Sequence, residues 1–259
     1  PCIECNRKVR FRALLERADR LGCDLLVTGH HARVVEDADG FRLRRGRDPA
    51  KDQSYVLYML GQAQLSRIRL PIGELTKDEV RARAAELGLR VAHKPDSQDL
   101  CFVGAGDYRT LLRRIRPEVV APGDVVDVDG TVLGRHDGTA GFTVGQRRGL
   151  GIAVGERRYV VEVRPETRTV VVGRREDLLA PGCVVEDVSF VAGSPPSDLG
   201  VEVQIRYRAA PVPARLHREA DGRWFVEFAE PIEAPAPGQA AVFYRGDEVL
   251  GGGTIAARR

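Results

Sequence analysis

The chain has 259 residues, 43% of them hydrophobic and 30% charged, with a formal net charge of +3 at pH 7. This composition is typical of a folded protein with a buried core, and so small a net charge does not by itself indicate a nucleic-acid or membrane partner. No apolar run approaches the roughly 20 residues of a membrane-spanning helix, so we expect no membrane partner. The five cysteines are too few for a disulfide framework, which favours a cytoplasmic location.

A Cys-x-x-Cys motif, formed by Cys2 and Cys5, stands directly before the first predicted helix. Asn6 is predicted to cap this helix, which runs to about Leu21 and ends at Gly22. The apolar stripe predicted for the helix consists of Val9, Leu14, Ala18 and Leu21. Taken alone, the motif is compatible with half of a metal site, with a redox dithiol or with chance, since no second cysteine pair follows at close spacing.

The segment CDLLVTGHHAR follows the first helix, and its apolar residues 25–27 predict a short buried strand of a parallel sheet. The chain is then predicted to turn at Gly29 and His30. Ligands of such α/β sheets bind at the carboxyl ends of strands, so this turn is a candidate ligand site. Cys23 and Cys183 adjoin apolar strands, and both are predicted to be packing residues.

Four further elements complete the first half of the chain. The segment VVEDADGFRLRRG predicts a β-hairpin with its turn at Asp39 and Gly40. The segment LTKDEVRARAAELGL predicts a helix that begins with a capping box of Thr76 and Glu79 and ends at Gly88. The segment VAHKPDSQDLCFVGAGDY is rich in turn-forming residues and predicts a loop, and the basic segment YRTLLRRIR predicts a last helix.

The pattern changes near Pro117, where the sequence becomes rich in valine, with Gly, Pro and Asp turns every 8–12 residues. Short strands at this spacing are typical of β-barrels and β-sandwiches. The predicted fold class is therefore α/β followed by β. We expect a partial α/β domain over residues 1–116, a small central β-rich domain over 117–178 and a C-terminal β-barrel over 179–259.

Seven motifs, each weak alone, occur in an order and spacing that resemble the tRNA-specific 2-thiouridylases: PCIECNRKVRF, TGHHAR, KDQSYVLYML, DSQDLCFV, GFTVGQRRGLGI, IRYR and GGGTI. Enzymes of that family place sulfur on C2 of the wobble uridine of tRNA. The resemblance implies that the α/β domain is of the adenine-nucleotide alpha-hydrolase-like type, with a pyrophosphate (PP) loop. That loop, of Ser-Gly-Gly-Val-Asp-Ser type, is absent, so we expect a fragment that lacks the N-terminal PP-loop segment and is inactive alone.

The resemblance also implies the roles of individual residues. Cys5 matches the nucleophilic cysteine, Cys101 the cysteine that carries a persulfide, and Gly29 a glycine that contacts ATP. The positions implied to contact tRNA are Cys2, His30, Lys51, Asp52, Gln53, Arg206, Tyr207 and Gln239.

The implied reaction uses ATP and Mg²⁺ to adenylate the C2 oxygen of uridine 34 in the anticodon arm, because that carbonyl oxygen is a poor leaving group. Cys101 then accepts sulfur from a donor protein, such as a cysteine desulfurase or a relay protein. Cys5 releases this sulfur by attacking the inner sulfur of the persulfide, which forms a Cys5–Cys101 disulfide.

Three alternatives remain open at this point. Cys2, Cys5 and Cys101 could instead ligate an iron–sulfur cluster with one open iron, which would hold the transferred sulfur in the same reaction. The chain could also be a non-enzymatic RNA-binding β-barrel protein. It could finally be a redox or metal-cluster protein that uses only the Cys-x-x-Cys motif.

Overall fold

A computed structural model describes residues 2–94 and 108–259 of the chain. The predicted loop around Cys101 lies outside these residues. Within the described residues, the fold divides into two compact units, the first made of residues 2–94, 184–229 and 238–256 and the second of residues 108–183, 230–237 and 257–259. Each unit is therefore assembled from stretches that are far apart in the sequence.

The N-terminal helix runs continuously through three segments: Cys2–Glu4, Cys5–Ala13 and Leu14–Arg20. The middle segment is a π-helix, with i→i+5 hydrogen bonds and therefore a wider turn than an α-helix. The predicted cap is wrong, since Asn6 lies inside the helix and is buried. The predicted end at Gly22 is confirmed by its left-handed φ of +68°.

The apolar face predicted for this helix is confirmed only at Ala18. Val9, Leu14 and Leu21 are exposed, whereas Phe11 and Ala18 are buried. The prediction assumed 3.6 residues per turn throughout, and the wider π-helical turns shift the buried face away from that period.

The other helical segments of the described residues are Ser54–Val56, Gln62–Leu65, Lys77–Glu86, Tyr108–Ile115, Pro117–Val120, Thr139–Gly141 and Glu176–Leu178. The capping box predicted for Lys77–Glu86 is confirmed. Thr76 Oγ1 accepts a hydrogen bond from the Glu79 amide at 3.3 Å, and the Glu79 carboxylate accepts one from the Thr76 amide at 2.7 Å. Gly88 then leaves the helix with a φ of +67°, as predicted.

The strands within residues 2–94 and 108–259 are, in chain order, β1 (Leu26–Val27), β2 (Ala32–Asp37), β3 (Gly40–Arg45), β4 (Ile68–Arg69), β5 (Gly123–Asp127), β6 (Val132–His136), β7 (Tyr159–Arg164), β8 (Thr169–Gly173), β9 (Leu179–Phe190), β10 (Gly200–Gln204), β11 (Val212–Arg218), β12 (Trp224–Glu233), β13 (Ala240–Arg245) and β14 (Glu248–Arg258). Strands β2 and β3 form the predicted hairpin. Asp37 pairs with Gly40, so the two turn residues are Ala38 and Asp39 rather than Asp39 and Gly40.

Strand β1 pairs in parallel with β4, which confirms the predicted parallel pairing. The predicted burial of residues 25–27 is wrong for Leu25 and Val27, which are exposed, whereas Leu26 is partly buried against the core of the first unit. A continuous apolar run is typical of a strand whose two faces are both packed against other elements. Strand β1, in its two-stranded sheet, is not packed on both faces by the described residues. Cys23 is also exposed, contrary to its predicted packing role, whereas Cys183 is buried as predicted.

A closed six-stranded barrel dominates the C-terminal part of the chain, as predicted. Its strands follow the order β13, β10, β11, β12, β9, β14, and β14 pairs again with β13, which closes the barrel. The β2–β3 hairpin extends this sheet, because β3 pairs with β14 through Leu43 and Val249.

The core of the first unit combines residues from both ends of the sequence. Its buried members from the first 70 residues include Phe11, Leu43, Leu57, Leu65 and Ile68, and its barrel members are Val191, Ala240, Val242, Tyr244 and Val249. Because these side chains form one cluster, the N-terminal part packs against barrel strands β13 and β14.

The second unit contains a four-stranded mixed sheet with the order β6, β5, β8, β7. Strands β5 and β8 are parallel, and the other two pairings are antiparallel. Its inner face is packed by buried apolar side chains: Val125, Leu150, Val160, Val170 and Val172. The β-rich character predicted for the middle of the chain is confirmed. Among the described residues, no helix is long and apolar enough to cross a membrane.

Candidate functional site

The two N-terminal cysteines lie on the first turns of the N-terminal helix. Cys2 is exposed and Cys5 is half-buried, and both are free thiols. The helix is anchored beside them, since the Asn6 amide donates a hydrogen bond from Nδ2 to the Val56 carbonyl at 3.0 Å. Arg7 adds a hydrogen bond from Nη2 to the Tyr58 hydroxyl at 3.3 Å. These contacts fix Cys5 next to the segment that follows the KDQS motif.

Gly29 and His30 lie directly after β1, as the sequence predicts. Gly29 is exposed, and a Cβ atom at this position would meet only Ile72 at 3.7 Å, so the backbone is open to a ligand. His30 is buried, with Nδ1 2.8 Å from Thr28 Oγ1 and Nε2 3.4 Å from Arg10 Nη1. Burial, followed by the nearby Arg10 and His31, lowers the pKa of His30 from 6.5 to about 4. His30 is therefore neutral at neutral pH.

Gln53 links the KDQ tripeptide, residues 51–53, to the histidine turn. Its backbone amide donates to the His31 carbonyl at 2.8 Å, and its side-chain Oε1 accepts from the His31 amide at 3.0 Å. This pair of hydrogen bonds fixes the tripeptide against the residue next to His30. Two of the predicted tRNA-contacting segments are thus adjacent.

Asp52 is turned inward, and its side chain is only 9% exposed. One carboxylate oxygen, Oδ1, accepts hydrogen bonds from the Gly46 and Ser54 amides, at 2.9 and 3.0 Å. The other, Oδ2, accepts from Ser54 Oγ at 2.8 Å and from Arg45 Nη1 at 3.0 Å. Both oxygens are therefore occupied by protein donors.

Arg45, the last residue of β3, connects the tripeptide to the barrel. Its guanidinium donates from Nη1 to Asp52 and from Nη2 to Gln204 Oε1 at 3.2 Å. The guanidinium carbon lies 3.7 Å from the centre of the Tyr244 ring, a stacked cation–π arrangement. Burial raises the pKa of Tyr244 to about 12, so its hydroxyl keeps its proton 3.3 Å from Ser54 Oγ.

Arg206 and Tyr207 follow Gln204 at the end of β10. The Gln204 amide donates from Nε2 to the Arg206 carbonyl at 3.0 Å, which continues the chain of contacts from Arg45. Tyr207 is 44% exposed, and its ring centre lies 6.1 Å from that of Tyr55. Arg208 holds its guanidinium 5.4 Å from the Tyr207 ring, from a backbone with a left-handed φ of +67°.

Gln239, the remaining predicted tRNA contact, stands beside Ala240 at the start of β13. The Tyr55 hydroxyl donates to the Ala240 carbonyl at 2.9 Å. Residues 52–55 therefore contact His31 beside His30, Tyr207 beside Arg206, and Ala240 beside Gln239. Cys2 is not joined to them by these contacts. The resulting surface combines an exposed aromatic ring with arginine side chains, the groups that stack on bases and bind phosphates in RNA complexes.

Residues 2–94 and 108–259 do not by themselves form a metal site. These residues hold no group of three or more His, Cys, Asp or Glu side chains that could bind a metal ion. The alternative iron–sulfur ligand set includes Cys101, which lies outside them, as does the predicted persulfide position.

Comparison with known proteins identifies the chain's relatives. The tRNA-specific 2-thiouridylase MnmA of Chloroflexus aurantiacus is 52% identical over 258 residues, which cover 99% of this chain and 72% of the relative. The chain belongs to the tRNA-specific 2-thiouridylase family. Family members of the same name from Geobacter metallireducens and Carboxydothermus hydrogenoformans are 52% and 49% identical, over 99% and 100% of this chain and 70% and 72% of the relatives.

Three domain models match consecutive parts of this thiouridylase family member. They are a tRNA methyl transferase HUP domain over residues 1–105, a tRNA methyl transferase PRC-barrel domain over 109–174 and an aminomethyltransferase beta-barrel domain over 181–255. The predicted fold class, a PP-loop type α/β domain followed by β domains, is confirmed. Although the model descriptions mention methyl transfer, the relatives that align with nearly the whole chain are named thiouridylases, and they decide the family.

Sequence reasoning missed the residues that hold this thiouridylase-family site together: Arg45, Tyr55, Gln204 and Tyr244. Their contacts join residues up to 190 positions apart, and no local pattern marks such pairs. Of these four residues, Tyr55 could have been predicted from the sequence, because it directly follows the KDQS motif.

Proposed function

We propose that this member of the thiouridylase family acts in the ATP-dependent 2-thiolation of uridine 34 in the anticodon arm of tRNA. The observation that carries the proposal is the convergence of the predicted tRNA-contacting segments on residues 52–55, in a chain 52% identical to a named thiouridylase. Arg7 and Asn6 bring the helix of Cys5 against the same part of the first unit.

The proposed chemistry begins with ATP and Mg²⁺, with Gly29 as the ATP-contacting residue. Its exposed backbone at the end of β1 suits a nucleotide, because ligands of α/β sheets bind at strand carboxyl ends. Transfer of AMP to the C2 oxygen of uridine makes that oxygen a good leaving group.

Sulfur transfer follows from a persulfide on Cys101, supplied by a cysteine desulfurase or a relay protein. Its terminal sulfur forms a bond to C2. The thiolate of Cys5 then attacks the inner sulfur of Cys101, and the sulfur–sulfur bond breaks with its electron pair moving to the transferred sulfur. AMP leaves with the C2–oxygen electron pair, and the Cys5–Cys101 disulfide must be reduced by an external thiol before the next turnover.

The remaining contacts to the anticodon arm are assigned to Cys2, His30, Lys51, Gln53, Arg206, Tyr207 and Gln239. Asp52, whose carboxylate is occupied by protein donors, supports the tripeptide from inside. We further propose a cytoplasmic location, where such a substrate is available, and a division of the chain at residues 116 and 178. The domain matches support the boundary at 178, which falls between the matches to 109–174 and 181–255, whereas the first two matches meet at 105–109, before residue 116.

Thiolation of tRNA tests the proposal directly. The chain, and a hybrid that adds the part of the Chloroflexus aurantiacus relative it does not cover, are incubated with ATP, Mg²⁺, tRNA and a persulfide donor. We expect Cys5→Ser and Cys101→Ser to abolish 2-thiouridine, measured by mass spectrometry of digested tRNA, with a tRNA Kd within about twofold of the wild type, since neither thiol is needed for phosphate contacts. Cys23→Ser, which changes an exposed cysteine outside the site, is the control and keeps full activity.

Two outcomes would change the mechanism. Activity in Cys101→Ser would refute both the persulfide and the three-cysteine cluster. Stoichiometric iron and visible-range absorbance after anaerobic purification would replace the persulfide by the cluster. Tight tRNA binding by a hybrid that makes no 2-thiouridine would instead support a non-enzymatic RNA-binding protein.

A further inference from the structure

Arg45 occupies a junction that no sequence motif marks. Its guanidinium contacts two segments that are more than 150 residues apart: Asp52 in the KDQ tripeptide, and Gln204, which bonds to the Arg206 carbonyl. The third contact is the face of Tyr244, which is fully buried. One side chain therefore touches a residue of the tripeptide and the residue that holds the Arg206–Tyr207 pair.

The geometry of this junction requires arginine. The two hydrogen bonds leave from different nitrogens of one planar group, while the flat face of that group lies on an aromatic ring. A lysine ammonium carries the same charge but has neither the fork nor the planar face. The charge of Arg45 is also matched locally by the Asp52 carboxylate at 3.0 Å, so it is poorly available to an external phosphate.

Asp52 is equally committed to the protein. Its two oxygens accept four hydrogen bonds, from Arg45, Gly46 and Ser54, and its side chain is 9% exposed. A carboxylate with this set of partners has little left to offer a nucleic acid, whose phosphates also repel it.

We propose that Arg45 is a positioning residue for RNA binding, which holds residues 51–53 and residues 206–207 in one fixed arrangement. Asp52 acts through Arg45, while its neighbours Lys51 and Gln53 and the ring of Tyr207 meet the RNA. The inference rests on the proposed function, because it concerns how the tRNA-contacting surface is kept in shape.

Binding of an anticodon stem-loop RNA to the full chain tests this role. We expect Arg45→Lys to weaken binding about tenfold, the effect of losing one charged hydrogen bond at the site. The slope of log Kd against log salt should stay unchanged, because the charge is kept and no phosphate contact is lost. Arg44→Lys is the matched control, since Arg44 neighbours Arg45 on β3 with its side chain on the opposite face, and binding should not change.

A double-mutant cycle separates positioning from general destabilisation. In the wild type, Tyr207→Ala should weaken binding about tenfold through lost stacking, whereas in the Arg45→Lys background it should weaken it only about twofold. Asp52→Asn should reproduce the effect of Arg45→Lys, and the two together should be no worse than either alone. Additive effects in both cycles would overturn the inference.

Hydrogen exchange supplies a readout that needs no RNA. Backbone amides of residues 204–208 should exchange faster in Arg45→Lys and Asp52→Asn than in the wild type, and not in Arg44→Lys. Unchanged exchange overturns the inference while the proposed function stands. If the variants exchange as expected but the wild-type chain binds no tRNA, the proposed function is refuted and, with it, the RNA-positioning role of Arg45.

Discussion

The imidazole of His30 shows how burial sets the charge of a single site residue. Its surroundings lower its pKa from 6.5 to about 4, mainly by burial and then by the charge of Arg10. The unfolded chain therefore binds a proton near pH 6.5 that the folded chain does not bind until about pH 4. The stabilising effect of a neutral His30 is complete above pH 6.5 and is lost as the pH falls towards 4.

We expect this difference to appear in the pH dependence of stability. Between pH 6.5 and 4 the free energy of unfolding should fall by up to about 3 kcal/mol through His30 alone. His30→Gln, which does not titrate, should lack this part of the decline. Urea unfolding of both proteins at several pH values measures it, and parallel curves would show that His30 is not buried in its neutral form.

Single residues also mark where sequence reasoning ends. Gly29 and His30 were found because a strand-to-loop turn is visible in the local sequence. Asn6 was misassigned as a cap, since asparagine before a helix usually caps it and only the distant Val56 carbonyl explains its burial. The role of Arg45 as a junction could not be predicted from the sequence, because its contact with Gln204 joins residues 159 positions apart.

At the scale of elements, the glycine run in β14 allows this strand to pack closely against its neighbours. A Cβ atom on Gly252 would lie 2.6 Å from the Ala241 carbonyl oxygen and 2.9 Å from the Tyr58 ring. One on Gly253 would lie 2.5 Å from the Glu186 carbonyl oxygen. The strand therefore accepts no side chain at these positions without moving its neighbours.

Gly252→Ala should accordingly destabilise the protein by about 2–3 kcal/mol, because the added methyl group meets backbone as well as an aromatic ring. Gly200→Ala is the matched control in β10, where the new Cβ would lie 3.4 Å from the nearest atom, an ordinary contact. Chemical denaturation of the two variants gives the comparison. Equal stability of both would mean that β14 is not packed this closely.

Elements differed in how well the sequence predicted them. The helix Lys77–Glu86 was predicted at both ends, since the Thr76–Glu79 box and Gly88 act through neighbouring backbone groups. The N-terminal helix was predicted as a helix, but its predicted buried face is right only at Ala18. Its π-helical segment breaks the 3.6-residue period on which that prediction depended.

At the scale of the whole molecule, the first unit contains a hydrophobic cluster built from both ends of the chain. Leu57 and Leu65 pack in the same cluster as Val242 and Val249 of the barrel. The HUP and beta-barrel matches are separated by the PRC-barrel match in the sequence. The predicted α/β and β parts are therefore distinct as patterns but pack against each other in one cluster, which no local pattern could reveal.

Because residues 57–65 and the barrel strands pack in one cluster, we expect a substitution in that cluster to destabilise both. Val249→Ala removes two methyl groups from a fully buried position and should lower the free energy of unfolding by about 2 kcal/mol. Slowly exchanging amides of residues 57–65 should lose as much protection as those of β13, measured by native-state hydrogen exchange. Unaltered protection of residues 57–65 would contradict a single cooperative core.

The same core has a consequence for the time course of synthesis. The hydrogen bond from Tyr55 to Ala240 joins residues 185 positions apart, and β14 follows still later. At the usual elongation rate of about 5–20 residues per second, the side chains of Leu57 and Leu65 lack their barrel partners for roughly 10–40 s. A nascent chain in this interval presents apolar surface to the cell, so chaperone binding and aggregation compete with folding until the barrel strands have been made.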